Sequence, residues 1–338
     1  MSYRISLKNS ATHFNVTEEE NVLDAALRHK VTLAYGCRNG SCGTCKAQVV
    51  SGSFRCAEHS DDALTNSERA AGYTLLCRTH ATSDMVIAAR EISGASGFPL
   101  RRLPARVEAI SPLSHDVVRL LLKLPSGQRL QYVAGQYIDV LLRDGKKRSF
   151  SIANAPSISS DVIELHIRHQ PGGAFSEQVI EQLQVKSILR IEGPFGQFYW
   201  RGDNNRTAIL VAGGTGFAPI KALLEDRFAH QEPNPLRLYW GVRTQHDFYL
   251  LDLIQSWQQS HPSFTFVPVL SAPDQSPNWN GRVGWVHDVV IDDWPDFSLL
   301  DVYSCGPPPM VRNLRDAAFT RGLPTDRFFC DPFEPARD

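Results

Sequence analysis

The 338-residue chain has no apolar run approaching the 18 or so residues that cross a bilayer. It also lacks the one-sided charge that nucleic acid or an anionic membrane surface attracts: 35 basic residues against 36 acidic ones leave a net charge of −1. Neither nucleic acid nor membrane is therefore an expected partner. The first residues alternate Tyr3, Ile5 and Leu7 with polar neighbours and read as a strand, not a leader peptide, so the expected compartment is the cytoplasm, where thiols stay reduced. There is no internal repeat and no low-complexity tract. Absent too are the G-x-G-x-x-G of a Rossmann turn and the second C-x2-C knuckle that structural zinc would use. What remains is ordinary globular composition, 42% hydrophobic and 21% charged, at a length that suits two or three domains.

Against that background the cysteines stand out. Cys37, Cys42 and Cys45 follow a C-x4-C-x2-C spacing, and Cys77 completes four thiols. This is the spacing of a plant-type [2Fe–2S] site, in which each iron takes two sulfides and two cysteines. Gly36, Gly40 and Gly43 let the intervening loop turn tightly and bring its N–H groups to the sulfurs. Cys56, Cys305 and Cys330 are left over, and the C-x2-H pair Cys56–His59 reads as structural. The first 92 residues resemble the plant-type ferredoxins. Alternation over 3–8 and 12–17, a short helix capped by Asn21, and strands at 46–50 and 85–89 agree with the β-grasp fold this resemblance implies.

A Gly/Ser/Pro-rich stretch at 93–101 reads as a linker. Beyond it, short strands at Ala105–Ile110, Val117–Leu124, Tyr137–Leu142, Val162–Arg168 and Ile188–Ile191 predict a small antiparallel barrel over 102–203. Arg148-Ser149-Phe150-Ser151-Ile152 ends one of these strands. A fixed guanidinium can pair with a pyrophosphate, an aromatic ring can stack on isoalloxazine, and a hydroxyl can reach flavin N5. By itself the segment reads equally as strand surface. It resembles the R-x-Y-S signature of the ferredoxin-NADP reductase superfamily, with phenylalanine at the usual tyrosine, and the resemblance gives those roles to Arg148, Phe150 and Ser151. Gly173-Ala174-Phe175-Ser176 resembles the family's G-x-x-S segment on the FAD pyrophosphate, and Arg168 ends the strand that the family lays along the flavin. Glu192-Gly193-Pro194-Phe195-Gly196 is expected to be a structural turn closing this domain.

From residue 204 to 338 continuous apolar runs alternate with helical segments, which predicts an open parallel α/β sheet. Strands are expected at 208–212, 236–240, 264–270 and 300–304, with helices from Pro219 and over 252–259 and 309–321. Gly213-Gly214-Thr215-Gly216 lies at the carboxyl end of the first strand and opens a helix, the place where such sheets bind dinucleotides. Cys305-Gly306-Pro307-Pro308-Pro309-Met310 resembles the family's C-G-P-P-x-M segment, which implies that Cys305 lies near nicotinamide C4 with Gly306, Pro307 and Met310 beside the cofactor. A buried small residue is the plainer reading of Cys305. Asp247 can hold a ribose 2′-OH and would repel a 2′-phosphate, which favours NADH; Arg243 can instead attract that phosphate. Phe333 is a candidate to cover the flavin, unless Phe328, Phe329 and Phe333 simply pack the core.

The order of the three modules resembles the single-chain reductases of bacterial oxygenase systems and the reductase that acts with an iron–sulfur dehydrase on CDP-6-deoxy-glucoseen. The resemblance implies a multidomain α+β and α/β protein with FAD, a [2Fe–2S] cluster and NADH as cofactors. It further implies hydride transfer from NADH to FAD, then single electrons through the cluster to a protein partner: a terminal oxygenase, a monooxygenase hydroxylase or an iron–sulfur dehydrase. Two rival readings are a reductase that releases free reduced flavin and a redox-sensing module. Residues 1–92 carry ten acidic and ten basic side chains, so charge gives no clue to the partner.

Overall fold

The structure, a computed structural model, describes residues 1–89, 91, 98–159, 161–170, 183–202 and 205–333. It divides into two compact units, Met1–Pro99 and Leu100–Phe333. Gly173, Ala174, Phe175 and Ser176, and most of the expected linker, lie outside the described residues.

In the first unit β1 (Ser2–Leu7) and β2 (His13–Thr17) form the expected hairpin, with Ile5 opposite Phe14. The Asn21 side chain accepts from the Asp24 amide at 2.8 Å and starts α1 (Val22–Arg28), leaving Val22, Leu23, Ala25 and Ala26 to face the sheet. There follow β3 (Lys46–Ser51), β4 (Phe54–Cys56), α2 (Asn66–Ala70), β5 (Tyr73–Leu75), β6 (Thr79–Ala81) and β7 (Met85–Ala88). The main sheet runs β2-β1-β7-β3-β5, with β1 and β7 parallel, and β4 pairs with β6 apart from it. A mixed sheet crossed by one amphipathic helix is the β-grasp arrangement the sequence led us to expect.

The second unit opens with six antiparallel strands: β8 (Arg101–Pro112), β9 (Val117–Lys123), β10 (Tyr137–Leu141), β11 (Lys147–Ser151), β12 (Val162–Arg168) and β13 (Ile188–Phe195). Their order is β11-β10-β13-β8-β9-β12, and a bridge between Ile152 and Leu165 joins the two edges, closing the sheet into a barrel. Glu192–Phe195, expected as a turn, is instead the end of β13: Glu192 pairs with Arg102 and Gly193 with Arg101, so the turn falls later, at Gly196. The ladder to the long strand β8 satisfies these backbone groups, which overrides the turn propensity of Gly-Pro.

A parallel sheet follows: β14 (Thr207–Gly213), α3 (Phe217–Ala229), β15 (Leu236–Val242), α4 (Leu251–Ser260), β16 (Phe264–Leu270), β17 (Arg282–Val283), α5 (Val286–Asp293), β18 (Leu300–Gly306), α6 (Pro308–Thr320) and β19 (Phe328–Pro332). The strand order is β17-β16-β15-β14-β18-β19. Helix α5 and strand β19 were not foreseen. Barrel residues Val117, Ala134, Ala155 and Phe198 share one apolar cluster with Leu210, Phe217, Leu223 and Trp240 of the sheet, so barrel and sheet pack as one body.

Candidate functional site

Two groups of residues carry chemistry, one in each unit. In the first, the loop between α1 and β3 brings Cys37, Cys42 and Cys45 together with Cys77, which sits in a 3₁₀ turn over Leu76–Arg78. Cys45 and Cys77 are buried with their Sγ atoms 3.3 Å apart. The Cys37 amide donates to Cys42 Sγ at 3.4 Å and the Ser41 amide to Cys37 Sγ at 3.4 Å. The hydrogen bond from Cys37 brings the Cys42 thiol down to about 6, while hydrogen bonding to the neighbouring cysteine, reinforced by burial, pushes Cys37 and Cys77 up. Four crowded thiols in two pairs, with amides aimed at sulfur, are a donor set that fits a [2Fe–2S] cluster. Gly40 takes φ +83°, and a methyl there would stand 2.7 Å from Arg78 Cγ, so this turn requires glycine. Cys56 points elsewhere, its thiol 3.6 Å from the Ala57 carbonyl oxygen.

In the second unit the strand order grows outward on both sides of β14, which makes the gap between the ends of β14 and β18 the switch point of the sheet. The turns leaving these two strands touch. A methyl on Gly216 would stand 2.1 Å from the Cys305 carbonyl oxygen, and one on Gly306 2.9 Å from the Gly213 backbone. Thr215 sits between, in a 3₁₀ turn over Gly214–Gly216 that leads directly into α3. The free N–H groups at that helix start suit a pyrophosphate. Arg168, at the end of barrel strand β12, lies over the same turn: a methyl on Gly214 would be 2.8 Å from its Nη1. Its Nε is 3.0 Å from Asp116 Oδ2. The structure thus sets Arg168 against the sheet-side turn.

Around the switch point the barrel and the last two strands meet. Ser151, at the end of β11, donates from Oγ to Asp331 Oδ2 at 3.4 Å, and both residues are buried. Asp331 on β19 is the register partner of Cys305 on β18. Cys305 is fully buried, and burial, then the Asp331 charge, pushes its thiol well above the ordinary range. The Phe333 amide donates to the Gly306 carbonyl at 2.8 Å, and its half-buried ring packs on the cluster that contains Cys305. Ser151, Cys305, Gly306 and Phe333, far apart in sequence, are therefore one site. Asp331 was missed by sequence reasoning; its only signal was a carboxylate inside the aromatic run Phe328–Phe333.

Other expected residues take more varied positions. Phe150 lies opposite Ile138 and packs half-buried on the barrel core, and Arg148, two residues earlier, lies opposite Val140. Ile152 forms the closing bridge of the barrel. Met310 is buried beneath the Gly213 turn, where a methyl on Gly213 would be 2.8 Å from its Sδ, and Pro307 caps the start of α6 in an exposed position. Asp247 lies in a turn that its own carboxylate caps. Its Oδ2 accepts from the Thr244 amide at 2.7 Å and hydroxyl at 3.0 Å, and its Oδ1 lies 3.6 Å from His115 Nε2. Its carboxylate is engaged in holding a turn, whereas Arg243 is exposed at the end of β15. Trp285, also unforeseen, is 64% exposed just past β17, on the carboxyl edge of the sheet.

Three family models match the chain in succession: a 2Fe-2S iron-sulfur cluster binding domain over residues 5–82, an oxidoreductase FAD-binding domain over 104–200, and an oxidoreductase NAD-binding domain over 210–316. The chain is 37% identical over 337 residues to the CDP-6-deoxy-L-threo-D-glycero-4-hexulose-3-dehydrase reductase of Yersinia pestis, covering all of both chains. It is 35% identical to reductase component 2 of the terephthalate 1,2-dioxygenase of Comamonas sp., covering 98% of each. Among solved structures it is similar to the Amycolatopsis cytochrome P450 reductase GcoB, with a TM-score of 0.84 at 30% identity over 98% of this chain and 99% of that one.

Proposed function

The chain belongs to the family of iron–sulfur flavoprotein reductases in which a ferredoxin domain, an FAD-binding barrel and an NAD-binding sheet share one polypeptide, and on that premise we propose that it carries electrons from NADH to an oxygenase component or an iron–sulfur dehydrase. FAD, when bound, would supply a hydride acceptor for NADH and release of single electrons towards the [2Fe–2S] cluster. The observation that carries the reading is the meeting of Ser151, Asp331, Cys305 and Phe333 at the switch point of the sheet, one turn from Gly213–Gly216.

Each residue then has a physical task. Ser151 Oγ, which donates its hydrogen to Asp331, keeps its lone pairs to accept from N5–H of a reduced flavin, and Arg148 on the same strand offers a guanidinium to a pyrophosphate. Phe150, half-buried against the barrel core, is the aromatic ring assigned to stacking on the flavin. The Gly213–Gly216 turn and Arg168 receive the nucleotide pyrophosphate, and Trp285 offers adenine an aromatic face at the same sheet edge. Cys305, neutral and packed under the turn, shapes a water-free floor. Cys37, Cys42, Cys45 and Cys77 hold the cluster. NADH as donor is supported by the NAD-binding domain match. Domain limits at 92, 101 and 203 and a cytoplasmic location complete the reading. Among the described residues no helix is long and apolar enough to cross a membrane.

The test is anaerobic. NADH should bleach the flavin and then the cluster of the purified protein, without added flavin and without loss of FAD on gel filtration. The reduced protein should reoxidise on mixing with its oxygenase or dehydrase partner. Flavin that must be added for turnover, and leaves reduced, would instead mark a flavin reductase.

A further inference from the structure

A buried charge cluster that no step above uses lies where helix α3 meets the barrel. Lys221 is 4% exposed, and its Nζ donates to Glu225 Oε1 at 2.7 Å and to the Ala153 carbonyl at 2.9 Å. Glu164 Oε2 stands 3.5 Å from the same ammonium. The second oxygen of Glu225 accepts from the Ala155 amide at 3.0 Å. One turn of helix, Lys221 to Glu225, therefore grips both ends of Ala153-Asn154-Ala155, the segment that follows Ser151. The barrel grips the same segment from the other side: the Ala153 amide donates to the Glu164 carbonyl at 2.8 Å, and Tyr132 donates to the Asn154 carbonyl at 3.0 Å.

The cluster continues through His166, whose side chain is fully buried. Its Nε2 lies 2.9 Å from Glu164 Oε1 and its Nδ1 lies 3.3 Å from the Tyr249 hydroxyl. Burial holds this imidazole below its ordinary pKa, so it is neutral, with one donor and one acceptor. Nε2–H then donates to Glu164 and Nδ1 accepts from Tyr249. Tyr249 packs on Phe217 and Trp240, at the base of the nucleotide-side turn.

The position of this cluster is its most informative feature. Lys221 is five residues into the chain from Gly216, about 7.5 Å along the helix, and Ala153 is two residues from Ser151, about 6.6 Å along an extended chain. The cluster thus ties the first turns of α3 to the chain just after Ser151, five residues from Gly216 on one side and two from Ser151 on the other. Buried ion pairs are poor sources of stability, since apolar side chains of similar volume usually serve as well, but their directional bonds fix a geometry. We propose that Lys221, Glu225 and Glu164 form a positioning clamp that sets the spacing between the flavin-side segment at Ser151 and the nicotinamide-side turn at Gly216. The clamp rests on the reading of those two segments given above, and it acts on the rate of hydride transfer, not on retention of FAD or NADH.

Lys221→Met in the full-length holoprotein tests this. Three quantities are read: FAD content, the anaerobic rate of flavin reduction at saturating NADH with the concentration that half-saturates it, and hydrogen exchange at the Ala155 amide. Loss of the clamp should slow flavin reduction about tenfold or more, leave half-saturation and FAD content within about twofold, and speed Ala155 exchange about tenfold, because sub-ångström placement governs the transfer. Glu225→Gln keeps an acceptor for the Ala155 amide and should lose less rate; it serves if the first variant does not fold. A folded variant that reduces its flavin at the wild-type rate overturns the proposal, whatever its melting temperature, and so does failure of both variants to fold. If NADH does not reduce the wild-type flavin, the site reading itself fails, and that outcome is separate.

Discussion

Replacing Gly216 with alanine probes the junction on which the nucleotide site depends. Gly216 has φ −58° and ψ −11°, which alanine adopts freely, so the substitution carries no backbone strain of its own. The added methyl would stand 2.1 Å from the Cys305 carbonyl oxygen, 2.6 Å from its carbon and 2.9 Å from the Gly306 nitrogen. All three are backbone atoms of β18, so no side chain can swing aside, and the two turns must part by about 1 Å to reach van der Waals contact. Overpacking of this kind costs about 1–3 kcal/mol, or roughly 2–10 °C in melting temperature for a unit of this size. A misplacement of about 1 Å at a reacting centre can lower a rate about a hundredfold, about 2.7 kcal/mol in barrier. The assay is NADH-dependent dye reduction, with flavin and cluster absorbance as controls. We expect kcat/KM to fall by about two orders of magnitude while FAD and iron stay at wild-type levels, since neither the barrel nor the cysteine loop is touched. Gly127→Ala is the control: φ is +75° with nothing within 4 Å, so it should lower the melting temperature by strain and leave the kinetics alone. A Gly216→Ala protein with kcat/KM within about twofold of wild type would refute the argument.

Cys42→Ser should abolish the visible spectrum of the cluster, because it removes one of the four thiolates the two irons need, yet preserve NADH oxidation by a two-electron dye; loss of dye reduction with FAD still bound would reverse the electron order. Asp247→Ala should remove a turn cap, costing about 1 kcal/mol in thermal melting, with the ratio of kcat/KM for NADH over NADPH unchanged within about twofold; a tenfold change in that ratio would return Asp247 to the ribose. Phe150→Ala should both weaken FAD binding and lower the melting temperature of the apoprotein, whereas Phe150→Tyr should preserve both, as titration and melting can show. Unchanged FAD affinity in the alanine variant would confine Phe150 to the barrel core.

What the sequence discloses about this molecule divides along a physical line between local and non-local chemistry. The β1–β2 hairpin, the Asn21 cap and the buried run of β14 are local patterns, and each forms where alternation, capping and apolar continuity place it. The four cysteines are equally legible, because three ligands lie on one loop and metal geometry restricts the spacing. Strand β19 is harder: Phe328–Pro332 shows no alternation, and it becomes a strand because β18 offers a free edge to pair with. Asp331 then acquires its role from a partner 180 positions away, a relation no pattern within the run encodes. Lys221 is the sharpest instance. In sequence it is a lysine in a helix, the residue most often solvated. Only the approach of the barrel, which presents the Ala153 carbonyl and Glu164, turns it into a buried cation with three acceptors. Asp247 shows the converse: an acidic residue after a strand fits a ribose contact by position, but Thr244 three residues earlier gives its carboxylate two donors at once. A short-range cap engages the carboxylate before any ligand arrives, so a motif-based assignment has to ask which of its polar atoms the fold leaves open.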